Sequence, residues 1–170
     1  HKEYRRQRQM CIRDRVNGLL IVDEAYAEFS KESSAITLIA KYPNILVSRT
    51  MSKAFAFAGA RLGYLAADKV VIDAMQLVRL PYHLSAITQA AAEVALDFQD
   101  ELLKEVAKLA KDRDVLAAAL SDLGLKVIPS DANFILFTGF KQSSHELWEK
   151  LLADGVLIRD VGLAGYLRVT

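Results

Sequence analysis

The chain has 170 residues, of which 52% are hydrophobic and 25% charged, and a formal net charge of +1 at pH 7. That balance suits one ordinary globular domain or two small ones, and eight glycines with three prolines are too few for a fibrous or low-complexity chain. No apolar run reaches the roughly 18 to 20 residues that a helical membrane span needs, so no membrane partner is expected.

Residues 1–15 hold six of the 22 Lys/Arg and two of the 21 Asp/Glu, which leaves sixteen against nineteen in a mildly acidic body. This stretch has no apolar segment of the kind a secretory signal requires. It is read as a disordered basic tail outside the fold, and nucleic acid is not expected as a partner. Cys11, the single cysteine, lies in it, so neither an internal disulfide nor a CxxC metal site can be drawn. The absence of a disulfide framework suits a reducing cytoplasm. His1, His83 and His145 are scattered without metal-ligand spacing, and no metal is expected.

Residues 18–22, Gly18-Leu19-Leu20-Ile21-Val22, form a short apolar run stopped by Asp23-Glu24 and read as a buried strand of a parallel sheet. A second strand over 45–47 follows the turn signal Pro43-Asn44, and a third over 62–66 follows the small residues Ala58-Gly59-Ala60. The apolar positions Val70, Val71, Ala74, Leu77 and Val78 recur at helical spacing and predict a helix over 69–78. Leu80-Pro81-Tyr82-His83 interrupts it. An alanine-rich helical pattern then runs from about residue 85 to 121, broken near 97–100, with Gly124 as its stop. Beyond it come strands over 125–128 and 133–137, a helix over 144–153, and strands over 156–158 and 166–169. Alternating short strands and a helix predict a small α+β lobe, separated from the first part inside the long helical region.

Polar groups collect at the ends of the first three strands: Asp23 and Tyr26, then Ser52 and Lys53, then Arg61. Ligands of open α/β sheets gather outside the carboxyl ends of parallel strands, so parallel strands would bring these groups to one pocket. Taken singly, each is ambiguous. A lysine beside Ala54-Phe55-Ala56-Phe57-Ala58 is usually a surface residue, although burying it unpaired would cost several kcal/mol. Asp23 after an apolar strand also resembles the magnesium-binding strand of a P-loop NTPase, whose Gly-x-x-x-x-Gly-Lys-Ser/Thr motif this sequence lacks. Arg61 taken alone could equally be a structural ion-pair partner.

Together the residues are more specific. Asp23-Glu24-Ala25-Tyr26, Ser52-Lys53-Ala54-Phe55 and Ala58-Gly59-Ala60-Arg61-Leu62-Gly63-Tyr64 resemble the signature blocks of fold-type I aminotransferases, and the histidinol-phosphate aminotransferase family most. Leu80-Pro81-Tyr82-His83-Leu84-Ser85, Pro129-Ser130-Asp131-Ala132-Asn133-Phe134 and Gly165-Tyr166-Leu167-Arg168-Val169-Thr170 resemble further blocks of that family, in order. The resemblance implies an α/β fold: residues 16–98 as the C-terminal part of a large domain with a mostly parallel sheet, and residues 99–170 as a small, truncated α+β domain. It also implies pyridoxal phosphate as cofactor. Lys53 would form the Schiff base, Asp23 pair with the ring nitrogen, Tyr26 bond the ring's phenolic oxygen, and Ser52 and Arg61 hold the cofactor phosphate. Arg168 and Arg159 would take the substrate's anionic group. Tyr82 and Asn133 are weaker candidates.

The implied reaction is transamination of histidinol phosphate with 2-oxoglutarate, from a small-molecule amino donor to a 2-oxo acid, in a cytoplasmic homodimer. The alternatives are an aromatic amino acid aminotransferase, a decarboxylase of a phosphorylated amino acid, and the pyridoxal-phosphate-binding domain of a transcriptional regulator. The family's glycine-rich phosphate turn and its Asn-Pro-Thr-Gly-like turn are absent. The sequence is therefore expected to be a C-terminal portion of such an enzyme, of doubtful activity alone.

Overall fold

The computed structural model describes residues 17–170; the expected basic tail over 1–15, with Cys11, lies outside the described residues. The elements in order are β1 (Leu20–Asp23), β2 (Ile45–Thr50), β3 (Gly63–Ala67), α1 (Lys69–Val78), α2 (Ala86–Asp97), α3 (Gln99–Asp122), β4 (Lys126–Ile128), β5 (Ile135–Thr138), α4 (Ser144–Ala153), β6 (Arg159–Asp160) and β7 (Tyr166–Val169). Three short 3-10 turns, Ala27–Phe29, Ala35–Leu38 and Ala58–Ala60, lie among the first strands. Two compact units result, the first closing at Leu103 and the second being Lys104–Thr170. The division falls inside α3 rather than between residues 98 and 99, so the first turn of that helix goes with the first unit.

The first unit is built on a three-stranded sheet in the order β1-β2-β3. β2 is central, and Ile45, Leu46 and Val47 are all buried, as a continuous apolar run covered on both faces should be. Burying a side chain such as Val47, with no exposure left, contributes about 1.5–3 kcal/mol. Ala35 and Ile36, from the second 3-10 turn, close over Ile45 and Val47 with Leu20 and Val22.

β1 pairs with β2 in parallel, Asp23 opposite Ser48, whereas β2 pairs with β3 antiparallel, Thr50 opposite Gly63. Parallel pairing throughout would have sent the start of β3, and Arg61 with it, to the far edge of the sheet. The antiparallel return brings Arg61 back to the edge where β1 and β2 end. Gly63 is required there, because a Cβ on it would lie 2.7 Å from the Arg49 carbonyl oxygen.

α1 matches its predicted range. Asp68 caps it, accepting the Val70 N–H at 2.9 Å. Val70, Leu77 and Val78 are nonetheless at least three-quarters exposed, so part of the apolar surface of this helix is uncovered in the chain. The break in the alanine-rich pattern is Phe98, which leaves the helical region at φ −100, ψ 15 and separates α2 from α3.

The second unit is a four-stranded antiparallel sheet in the order β4-β5-β7-β6. Ile135, Phe137 and Leu167 are its buried centre, with Val106 buried on α3 and Ala132 before β5. α3 ends just before Gly124, whose φ of +81 suits glycine. α4 opens with a reciprocal capping box: Ser143 Oγ accepts the Glu146 N–H at 3.2 Å, and the Glu146 carboxylate accepts the Ser143 N–H at 3.1 Å.

The strand expected over 156–158 is not one. The Val156 N–H donates to the Leu151 carbonyl at 2.8 Å, and the Ile158 carbonyl accepts the Trp148 indole N–H at 3.0 Å. Those backbone groups are spent on α4, and the ladder begins one residue later, at Arg159.

Candidate functional site

In the first unit, the ends of β1 and β2 and the start of β3 share one edge of the sheet, and Asp23, Tyr26, Ser52, Lys53 and Arg61 lie on it or in the turns beside it. Asp23 is the last residue of β1 and is exposed. Its Oδ1 accepts the Ala25 N–H at 3.0 Å, and the Ser48 hydroxyl approaches the same oxygen to 3.5 Å. These contacts orient the carboxylate while leaving its second oxygen open.

Beyond β2 the chain turns through Met51 and Ala54, both buried, so Ser52 and Lys53 are carried on a turn anchored from below. Thr50 Oγ1 accepts the Ser52 N–H at 3.1 Å. Lys53 is exposed, because the inward positions of the turn are taken by Met51 and Ala54. Its ammonium lies 5.7 Å from the centroid of the half-buried Tyr26 ring, within cation–π range. Arg61 adopts a left-handed conformation (φ 53), uncommon for a residue with a Cβ. Its Nη1 donates to the Ala58 carbonyl at 3.3 Å, and the remaining guanidinium is exposed.

An amine, a carboxylate, a phenol, a hydroxyl and a guanidinium are thus presented at one edge. Such a set can condense with an aldehyde, hold a cationic nitrogen and bind a phosphate.

Behind this edge lies a network that the sequence reading does not single out. Glu24 accepts from the Ser34 hydroxyl at 2.7 Å, the Ala35 N–H at 2.6 Å, and Arg49 Nη2 and Nε at 2.8 and 3.1 Å. Arg49 Nη1 also reaches Glu28 at 3.3 Å. Burial works to raise the Glu24 carboxyl pKa, but the bonds from Ser34, Ala35 and Arg49 outweigh it and hold the group below its ordinary value. Burial likewise works against the Arg49 charge, and bonds to Glu24 and Tyr64 more than compensate. The network ties the residue after Asp23 to β2.

In the second unit, Arg159 and Arg168 are directly opposed on β6 and β7. Both line a groove of about 650 Å³, together with His145, Trp148, Ile158 and Asp160. The Arg168 guanidinium lies 4.9 Å from the centroid of the Phe134 ring, and its Nε is buried without a hydrogen-bond partner among the described residues. Asn133 borders a smaller cavity with Phe134 and Val169, and Tyr82, in the first unit between α1 and α2, is fully exposed at φ 55. Neither Ser48 nor Trp148 is marked by any local pattern; each comes to its place through register or tertiary contact. Among the described residues, no group of three or more His, Cys, Asp or Glu could hold a metal ion, and no helix is long and apolar enough to cross a membrane.

The family model for aminotransferase class I and II matches residues 9–170. The chain belongs to that family. Among curated relatives, this class I and II aminotransferase sequence is 59% identical over 160 residues to histidinol-phosphate aminotransferase of Nocardia farcinica; the match covers 94% of this chain and 41% of the relative. The chain therefore spans less than half the length of that relative. Among solved structures, it resembles histidinol-phosphate aminotransferase from Sinorhizobium meliloti in complex with pyridoxal-5'-phosphate, with 32% identity and a TM-score of 0.76 over 89% of this chain and 44% of that one. It also resembles L-threonine-O-3-phosphate decarboxylase from Porphyromonas gingivalis, with 26% identity and a TM-score of 0.78 over 88% of this chain and 49% of that one. The α/β first unit and the small α+β second unit are those of a fold-type I pyridoxal-phosphate-dependent transferase.

Proposed function

We propose that the chain is part of a pyridoxal-phosphate-dependent aminotransferase that passes an amino group from histidinol phosphate to 2-oxoglutarate, giving imidazole acetol phosphate and glutamate. The observation that carries the reading is the collection of Asp23, Ser52, Lys53 and Arg61 at one edge of the sheet, with the Tyr26 ring 5.7 Å from the Lys53 amine. The 59% identity to a histidinol-phosphate aminotransferase supports the choice of substrate.

When bound, pyridoxal phosphate supplies a conjugated ring that draws electron density from the substrate's Cα. The residues of this chain do the rest. Lys53 would hold the cofactor through its amine, and that amine, when free, would be the base that moves the proton from the substrate's Cα. Asp23, oriented by the Ala25 N–H, would serve as counter-ion to the cofactor's ring nitrogen. Tyr26 donates its hydroxyl to the ring's phenolic oxygen. The Ser52 hydroxyl and the Arg61 guanidinium bind the phosphate, the guanidinium as a planar fork of fixed charge. Arg159 and Arg168 receive the substrate's anion, a phosphate in one half-reaction and a carboxylate in the other.

The large exposed side chains on and after α1, Leu77 and Leu80 among them, suit a surface covered by further chain or by a second subunit, in line with a homodimer. A biosynthetic transamination of this kind belongs in the cytoplasm. The likeness to L-threonine-O-3-phosphate decarboxylase keeps a decarboxylase of a phosphorylated amino acid as the second reading, since the two would share the cofactor residues and differ around the substrate.

A chain extended to the length of its relatives, loaded with pyridoxal phosphate and offered histidinol phosphate, phenylalanine and O-phosphothreonine, decides between them. Glutamate formed from 2-oxoglutarate with histidinol phosphate as preferred donor is the expected result. Preference for phenylalanine, or release of carbon dioxide from O-phosphothreonine, would refute the assignment.

A further inference from the structure

Arg159 and Arg168 are cross-strand neighbours, and like charges in that position push two strands apart. β6 is poorly equipped to resist. It is two residues long and, among the described residues, lies at the edge of the sheet and pairs with β7 alone. Beyond that ladder, it is held by contacts from α4. The Trp148 indole N–H donates to the carbonyl of Ile158, the residue immediately before Arg159, at 3.0 Å. The indole is fixed in turn by a near-parallel stack on His145, with centroids 5.6 Å apart and planes 17° apart. On the far side of Arg159, the Asp160 carboxylate accepts the Gly162 N–H at 2.9 Å and lies 3.5 Å from His145 Nδ1.

Arg159 therefore sits between two backbone points, one of them pinned to α4 by a single indole N–H. We propose that Trp148 is a positioning residue for the substrate's anion: its hydrogen bond to Ile158 holds Arg159 across from Arg168, at a separation that lets both guanidiniums close on one phosphate or carboxylate. The inference rests on the reading that the two arginines take the substrate's anion, and it adds the residue that sets their spacing. The indole need not touch the anion. Without its N–H, the Ile158 carbonyl turns to water, β6 drifts under the repulsion of its own arginine, and the pair grips an anion less well.

Trp148 is the only tryptophan in the sequence, so a tryptophan analogue enters at this one position. β-(3-benzothienyl)alanine has nearly the shape of tryptophan and lacks the N–H. The full chain is prepared with tryptophan, with the analogue, and as Trp148→Phe. Inorganic phosphate is titrated against each while the Nε–H resonances of Arg159 and Arg168 are followed by NMR.

With tryptophan, both resonances are expected to move with one shared Kd. With the analogue, that Kd should weaken about fivefold, the loss of one neutral hydrogen bond, while methyl resonances of the buried residues Ile135 and Leu167 stay in place. Trp148→Phe should weaken binding at least as much, and the isosteric analogue preserves the test if the phenylalanine variant unfolds. Phosphate binding to both arginines with the same Kd in the tryptophan and analogue chains would overturn the positioning role and leave the arginines' own assignment intact. Phosphate that moves neither resonance in the tryptophan chain would overturn both.

Discussion

Replacing Glu24 with glutamine tests whether the edge that carries Asp23 is held by the charged network behind it. The Glu24 carboxylate takes bonds from Ser34, Ala35 and Arg49, and its side chain keeps 11% of its exposure while that of Arg49 keeps 17%. A glutamine retains one acceptor oxygen and turns an NH2 toward groups that are themselves donors, so at least one of these bonds becomes a donor–donor clash. Arg49 loses its charged partner at 2.8 Å and keeps the longer contact to Glu28, at 3.3 Å, and the bond to Tyr64. Breaking one side of such a largely buried pair costs about 3 kcal/mol. With a urea dependence of about 2 kcal/mol per molar, the unfolding midpoint at pH 7 should fall by about 1.5 M.

The pH dependence supplies a control. The folded-state pKa of Glu24 is depressed, so its contribution is complete above the pKa of the unfolded chain and is lost as pH falls through the lower, folded-state value. The gap between Glu24 and the Glu24→Gln variant should therefore narrow in acid, below the ordinary glutamate value of about 4.5. Urea titrations followed by circular dichroism at pH 7 and at pH 3 measure it. A midpoint shift below about 0.3 M at pH 7, or a gap of equal size at both pH values, would refute the reasoning.

Gly63→Ala should destabilise the first unit by about 1–3 kcal/mol, because its Cβ would meet the Arg49 carbonyl at 2.7 Å and backbone would have to move; urea titration reads it, and an unchanged midpoint would contradict the close approach. Ser143→Ala removes the side-chain half of the capping box, the bond from the Glu146 N–H to Ser143 Oγ, and should cost about 1 kcal/mol, with hydrogen exchange of the first-turn amides of α4 accelerating before those of Ile135 and Leu167. Arg168→Lys keeps a positive charge but loses the guanidinium fork held 4.9 Å from the Phe134 ring centroid, so phosphate should bind roughly tenfold more weakly; equal affinity would mean that charge alone serves there.

Local pattern carried part of this structure and tertiary contact the remainder. α1, α4 and β7 fall on their predicted residues, because periodicity and capping side chains are recorded in the segments themselves. The direction of β3 is not recorded there: an apolar run of five residues reads the same whichever way its neighbour runs, and the chain reverses between β2 and β3 through left-handed Ala56, a 3-10 turn and left-handed Arg61. The strand expected over 156–158 failed because a tryptophan eight or more residues earlier takes the Ile158 carbonyl. Glu24 with Arg49 was equally unreadable, since their pairing spans 25 residues and depends on the β1–β2 register. Asp23, Lys53 and Arg61 are ambiguous singly and legible only as an ordered set of blocks at strand ends, whereas Trp148, on an ordinary amphipathic helix, carries no such mark.

The central claim is that one amine, Lys53, carries the cofactor. Its most direct test is to incubate the chain with pyridoxal phosphate, reduce with borohydride, digest, and locate the pyridoxyl group by mass spectrometry. The account predicts a stoichiometric mark on Lys53 that falls away when Asp23 is replaced by alanine. A mark spread over the surface lysines, or settled on another one such as Lys69 or Lys104, would contradict it.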